Sequence, residues 1–197
     1  QDQWMEMPGS VIAMNTYEAV SLVARYTPTA GANGGYTMLA YFGDSVGGLG
    51  SNGFFFSPAR GDNVSRAAIS IGNTSAPWAA ESGANGPEYD DGKTHFVVVT
   101  LDATTIKLYL EGELVASAPL SETNKIGGIS QNLAHLGKGG YTNDPEWIGA
   151  IHEFRIYNKA LSAGEVVFLT QAQPKDPGAD ALTHLYTFDD GTANDNA

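Results

Sequence analysis

Cysteine is absent from this chain, which removes disulfides, thiolate metal sites and thiol nucleophiles together. Basic residues are scarce: 10 Lys and Arg stand against 22 Asp and Glu, a formal charge of −12. Binding to a phosphate backbone or an anionic membrane needs clustered cations, so neither nucleic acid nor a membrane surface is an expected partner. Apolar runs are short, none approaching the ~18 residues that cross a bilayer. Charged residues of either sign make up only 16% of the 197, whereas 42% are hydrophobic. Such a chain has enough apolar side chain to bury a core and is not of disordered composition. No signal-peptide pattern follows Gln1, as expected of a mature chain or a fragment.

What is present reads as short strands between turns. Thr16–Tyr26, Gly35–Phe42, Gly53–Ser57 and Arg66–Ile71 are apolar or alternating runs bounded by Gly, Asn and Pro. That pattern marks an all-β sandwich or barrel. The clearest hairpin spans Thr94–Ser117: His95–Leu101 is β-branched, Thr105–Leu110 alternates, and Glu111-Gly112 turns the chain, since Gly accepts positive φ. One short helix is expected near 162–170, because Ser162 and Glu165 have the spacing of a capping box. Pro174 and Pro177 close it, and residues 173–180 read as a linker. The segment 181–197 opens strand-like (Ala181–Phe188) and ends in a polar run. A lone strand leaves its backbone groups unpaired, so this one needs a partner.

Two stretches carry a family resemblance. Lys93–Ser117 resembles the central hairpin of laminin G-like jelly-roll domains, members of the concanavalin A-like lectin/glucanase superfamily. The segment from His135 to Leu169 resembles that family's closing block, at Trp147, Gly149, Ile151, Glu153, Arg155, Ile156, Tyr157, Ala160, Leu161, Ser162 and Glu165. Trp4–Pro8 resembles a strand of the family that ends in Leu-Pro. Thr94 and Glu111 depart from the usual Trp and Asp, at turn or strand-edge positions. The resemblance implies an antiparallel two-sheet jelly-roll sandwich over residues 1–172. It also likens Leu182–Asp195 to the family's opening strand, here placed last. The tail would then open a following repeat, close its own sandwich by permutation, or complete a neighbouring molecule, which makes self-association through 181–197 one expectation.

Candidate chemistry is sparse. Glucanases of the superfamily use an E-x-D-x-E run on one strand; here Glu111-Gly112-Glu113 lies at a hairpin turn with no third carboxylate. The four histidines form no zinc pattern, and no G-x-S-x-G turn presents a serine, so no catalytic residues are assigned and an enzyme is not expected. Calcium suits the oxygen-rich run Asp189–Asp195 better, although a solvated polar tail accounts for it equally. Family resemblance implies a structural calcium held by Asp189, the Gly191 carbonyl, Asp195 and Glu153. For a glycan, exposed loop aromatics are the candidates: Trp78, Tyr89 and Tyr141, each set against the alternative of a packing lid. The reading that follows is a non-catalytic extracellular or cell-surface module for adhesion, binding carbohydrate or a surface protein. A structural repeat that assembles by strand exchange into a surface layer or fibre is the alternative, and a degenerate glycoside hydrolase the third.

Overall fold

The computed structural model describes residues 4–171, 176–188 and 194–197. Its strands, in chain order, are β1 (Met5–Glu6), β2 (Val20–Pro28), β3 (Ala40–Val46), β4 (Leu49–Arg60), β5 (Val64–Ser70), β6 (Ser82–Pro87), β7 (His95–Leu101), β8 (Thr105–Leu110), β9 (Glu113–Pro119), β10 (Leu133–Leu136), β11 (Gly149–Tyr157) and β12 (Leu182–Thr187). Helices α1 (Gly9–Ile12) and α2 (Ala163–Leu169) are both short. The strands form two antiparallel six-stranded sheets, β1-β10-β3-β4-β5-β6 and β12-β11-β2-β7-β8-β9. This is the all-β jelly-roll sandwich expected from the sequence.

Alternation along the strands builds the core. Phe54, Phe56, Ala67 and Ile69 of the first sheet point inward against Leu22, Tyr26, Val97, Val99, Leu108 and Phe154 of the second. Each fully buried side chain of this size contributes roughly 1.5–3 kcal/mol. The neighbours on each strand face outward, and the two outer faces differ. On the second sheet Val23, Phe96, Val98, Tyr109 and Tyr157 are covered by Leu161 and by Val166 of α2. The helix starts where expected: Ser162 Oγ accepts from the Glu165 N–H, and Glu165 accepts from the Ser162 N–H at 2.8 Å. On the first sheet Met38, Tyr41, Phe55 and Ala68 form an outward apolar cluster, and among the described residues neither α-helix belongs to it.

Several boundaries depart from expectation. The segment Met14–Thr16 is a 3₁₀ turn and β2 runs on through Pro28. Pro28 fits because β7 stops pairing with β2 at Tyr26↔His95, so Pro28 has a partner only on β11. β3 starts at Ala40 and not at Gly35, because Tyr36 takes a left-handed backbone (φ 62°), far from the extended conformation of a regular strand. β6 (SGANGP) has no apolar alternation to announce it; a Cβ at Gly83 would stand 2.7 Å from the Ala68 methyl, so this position requires glycine. Glu111 and Gly112 both have positive φ (49° and 89°), the backbone of a type I′ hairpin turn.

The C-terminal strand pairs within its own chain. β12 lies antiparallel on β11 (Phe154↔Tyr186, Ile156↔His184) and Tyr186 enters the main core. It forms one edge of the second sheet.

Candidate functional site

The open outer face of the first sheet is the floor of a cavity of about 600 Å³. Register sets the floor. Phe55 lies beside Ala68, and Ser57 beside Arg66 on the next strand. Arg66 in turn lies beside Asn85 on β6. Loops supply the walls: Tyr36 and Met38 before β3, Arg60 at the end of β4, Trp78 and Glu81 between β5 and β6, Tyr141 and Asp144 between β10 and β11.

Buried amides hold these loops. Asn124, fully buried, accepts from the Ile71 N–H (2.8 Å) and donates to the Ala80 carbonyl (2.7 Å) and to Ser82 Oγ (2.9 Å), tying both ends of the Trp78 loop. Ser70 Oγ donates to the Pro77 carbonyl at 2.7 Å inside that loop. Asn33, also fully buried, bonds both ways with the backbone of Ile148 and donates to the Asp90 carboxylate from its N–H and its amide. Tyr141 lies against β4 because Gly50 has no side chain: a Cβ there would come within 2.8 Å of the ring. Gly140 makes similar room for Tyr41 (2.4 Å).

Two aromatic rings stand together at the rim. The Trp78 and Tyr141 centroids are 6.4 Å apart at 46°, and Trp78 is 56% exposed, unusual for so large an apolar group. Tyr36 is 55% exposed, with its ring over Gly61. Arg66 and Glu81 form a nearly buried ion pair (2.7 Å), and Arg66 Nη1 also donates to Asn85 Oδ1 at 2.7 Å. Burial raises the Glu81 carboxyl above its ordinary range, against the pull of Arg66. Arg60 pairs with Asp62 through Nε at 2.8 Å and through Nη2. Burial also raises the Asp144 carboxyl. Aromatic faces beside fixed donors and acceptors can stack on a pyranose or furanose ring and bind its hydroxyls.

Of the aromatics singled out in the sequence, Trp78 and Tyr141 meet at this cavity. Tyr89 is elsewhere: it is 8% exposed and its ring packs on His95 at 5.3 Å, so it presents no open face. The remaining lining residues were not singled out. Tyr36 carried a usable signal, since Gly34-Gly35-Tyr36-Thr37 repeats the Gly139-Gly140-Tyr141-Thr142 context of Tyr141. Arg60, Arg66 and Glu81 had none, because their meeting depends on strand register.

Among the residues assigned to calcium, Asp189 and Gly191 lie outside the described residues. Glu153 receives Arg155 on both oxygens (2.9 and 3.0 Å), and Asp195 accepts from the Leu185 N–H (2.9 Å) and pairs with His184 Nδ1 (2.5 Å). The two described carboxylates are thus engaged by protein donors. No group of three or more metal-type side chains occurs among the described residues, so these alone do not make up the implied cation site.

The chain resembles solved carbohydrate-associated domains at low identity. CBM40 of the Ruminococcus gnavus IT-sialidase, bound to α2,3-sialyllactose, matches with a TM-score of 0.65 at 17% identity, covering 81% of this chain and 86% of that one. Domain 4 of AbnA, a GH43 extracellular arabinanase from Geobacillus stearothermophilus in complex with arabinotriose, matches with a TM-score of 0.58 at 18% identity over 85% and 72%. The NanB sialidase from Streptococcus pneumoniae gives 0.66 at 18% identity, covering 88% of this chain and 27% of that one. Among curated proteins no sequence matches significantly. A family model described as the concanavalin A-like lectin/glucanases superfamily matches residues 7–167, most of the sandwich. By that match and by its two-sheet architecture, the chain belongs to the concanavalin A-like lectin/glucanase superfamily.

Proposed function

We propose that this chain is a non-catalytic carbohydrate-binding module that acts outside the cell, with its ligand in the cavity on the first sheet. The observation that carries the reading is the exposed Trp78 ring beside Tyr141, at the rim of the cavity on the outer face of the first sheet. A large aromatic left open at the mouth of a polar-lined cavity favours a ligand with one apolar face and a hydroxyl rim. The likeness to domains solved with sialyllactose and arabinotriose supports the same class of ligand. The non-catalytic reading is supported by the likeness to the sialidase CBM40 and by the Glu81 carboxylate being ion-paired with Arg66.

Affinity electrophoresis or an immobilised glycan panel tests this. The wild-type chain is expected to be retained by at least one oligosaccharide. Trp78→Ala is expected to weaken that retention at least about tenfold, as loss of a central aromatic contact does, with an unchanged β-type dichroism spectrum. Failure of the wild type to bind any glycan, or full retention by Trp78→Ala, overturns the proposal.

A further inference from the structure

The cavity's charges decide which saccharides it accepts. Both of its cations are already neutralised. Arg66 gives Nε and Nη2 to Glu81 and Nη1 to Asn85, and its side chain is only 11% exposed. Arg60 is held by Asp62. Asp144 is different: it lines the cavity, and its carboxylate has no hydrogen bond or ion pair among the described residues. The one bond recorded at this residue comes from its backbone, N–H to the Tyr141 carbonyl at 3.3 Å. The cavity therefore carries one unpaired negative charge, on a protein whose formal charge is −12. A free carboxylate accepts hydrogen bonds and donates none, and vicinal sugar hydroxyls supply two donors to it.

We propose, resting on the carbohydrate-binding reading, that Asp144 makes this cavity a receptor for uncharged saccharides, which it holds by accepting bonds from a hydroxyl pair, and that it rejects sialylated and uronate-bearing ones. An acidic sugar brings a like charge towards Asp144, and it finds the Arg66 guanidinium engaged by Glu81 and Asn85 and the Arg60 charge already offset by Asp62. Juxtaposed like charges at partly desolvated sites are strongly unfavourable. The preference is opposite in charge to the sialyllactose seen in the Ruminococcus gnavus domain of similar fold.

The test uses matched probes that differ only in an acidic residue: lactose against 3′-sialyllactose, and a xylo-oligosaccharide against its glucuronic acid-substituted form, together with a panel of other neutral oligosaccharides. The retained glycans are expected to be neutral, with the acidic partner at least about tenfold weaker at low salt. Asp144→Asn, close to isosteric, should narrow that gap several-fold, and Asp144→Ala should weaken neutral binding. Equal or tighter binding of the acidic partner, or an unchanged gap in Asp144→Asn, overturns the charge inference and leaves the carbohydrate-binding proposal standing. Retention of no glycan of either kind overturns both.

Discussion

Replacing Asn124 by alanine tests whether the cavity is held from beneath. The side chain is fully buried and makes three hydrogen bonds, to Ile71, Ala80 and Ser82. Ser82 Oγ keeps a second partner, the Ser121 N–H at 3.0 Å, so two backbone groups lose theirs: the Ile71 N–H and the Ala80 carbonyl. At ~1–3 kcal/mol for each group left unsatisfied, the expected destabilisation is about 2–6 kcal/mol. For a chain of this size that corresponds to a fall in Tm of roughly 4–24 °C. Calorimetry measures the total. Amide exchange locates it, with faster exchange expected at Ile71 and through the loop bearing Trp78, while β7 and β8 stay protected in the native state. Asn124→Asp keeps the acceptor for Ile71 but loses both donors and sets a carboxylate against the Ala80 carbonyl, so it should be no better than alanine. A fall in Tm under ~2 °C for Asn124→Ala would mean that water replaces these bonds and that Asn124 does not tie the loop.

Gly140→Ala places a methyl 2.4 Å from the Tyr41 ring; overpacking of this kind is destabilising by about 1–3 kcal/mol, and an unchanged melt would show that the loop yields freely. A chain ending at Asp180 loses β12, opens the β11 edge and removes Tyr186 from the core, so a lower Tm and concentration-dependent association in light scattering are expected; a monomer of unchanged stability would refute that role. Burial opposes the charge on Glu165 and Asp195, yet hydrogen bonds from Lys159 and Ser162, and from Leu185 and His184, hold both carboxyls below their ordinary values. Their folded pKa values lie under the unfolded ones, so this stabilisation is present above the ordinary carboxylate range and is lost as pH falls through and below it. Glu165→Gln should therefore show a smaller acid-induced drop in Tm than the wild type. The calcium that the family resemblance implies predicts a Tm lowered by EDTA, since an ion that binds only the folded chain stabilises it; an unchanged melt would remove that reading.

The parts of this fold legible in the sequence are those where one local signal suffices. β7 and β8 announce themselves by β-branching and alternation, their turn by Glu111-Gly112, and α2 by Ser162 and Glu165. β6 could not be read, because glycine is required there by close neighbours on β5 rather than by its own strand propensity. The site divides in the same way. Trp78 and Tyr141 stood out as aromatics in loop surroundings, whereas Tyr89 shared those surroundings and is instead packed on His95. What separates them is which side of the chain meets the sandwich, and single-residue context does not encode that. Arg66 and Glu81 are 15 residues apart and meet because β5 and β6 pair in one particular register.

That the cavity lies on one sheet and not the other follows from α2. Helix and closing loop cover the aromatic outer face of the second sheet, so its apolar side chains serve stability. The first sheet carries Tyr41 and Phe55 outward with no α-helix packed on them among the described residues, and its loops are fastened instead by amides at Asn33 and Asn124. These fastenings lie behind the cavity and share no side chain with its lining. Substitutions at Tyr36, Trp78 or Asp144 can therefore alter what is bound while leaving the loop ties intact, as additivity for sites without common partners requires. If Asn124→Ala and Asp144→Asn are combined, their effects on the free energy of unfolding should add within ~0.5 kcal/mol. A larger coupling would show that the lining and its supports form one cooperative unit, and that the ligand preference of this face is bound up with its stability.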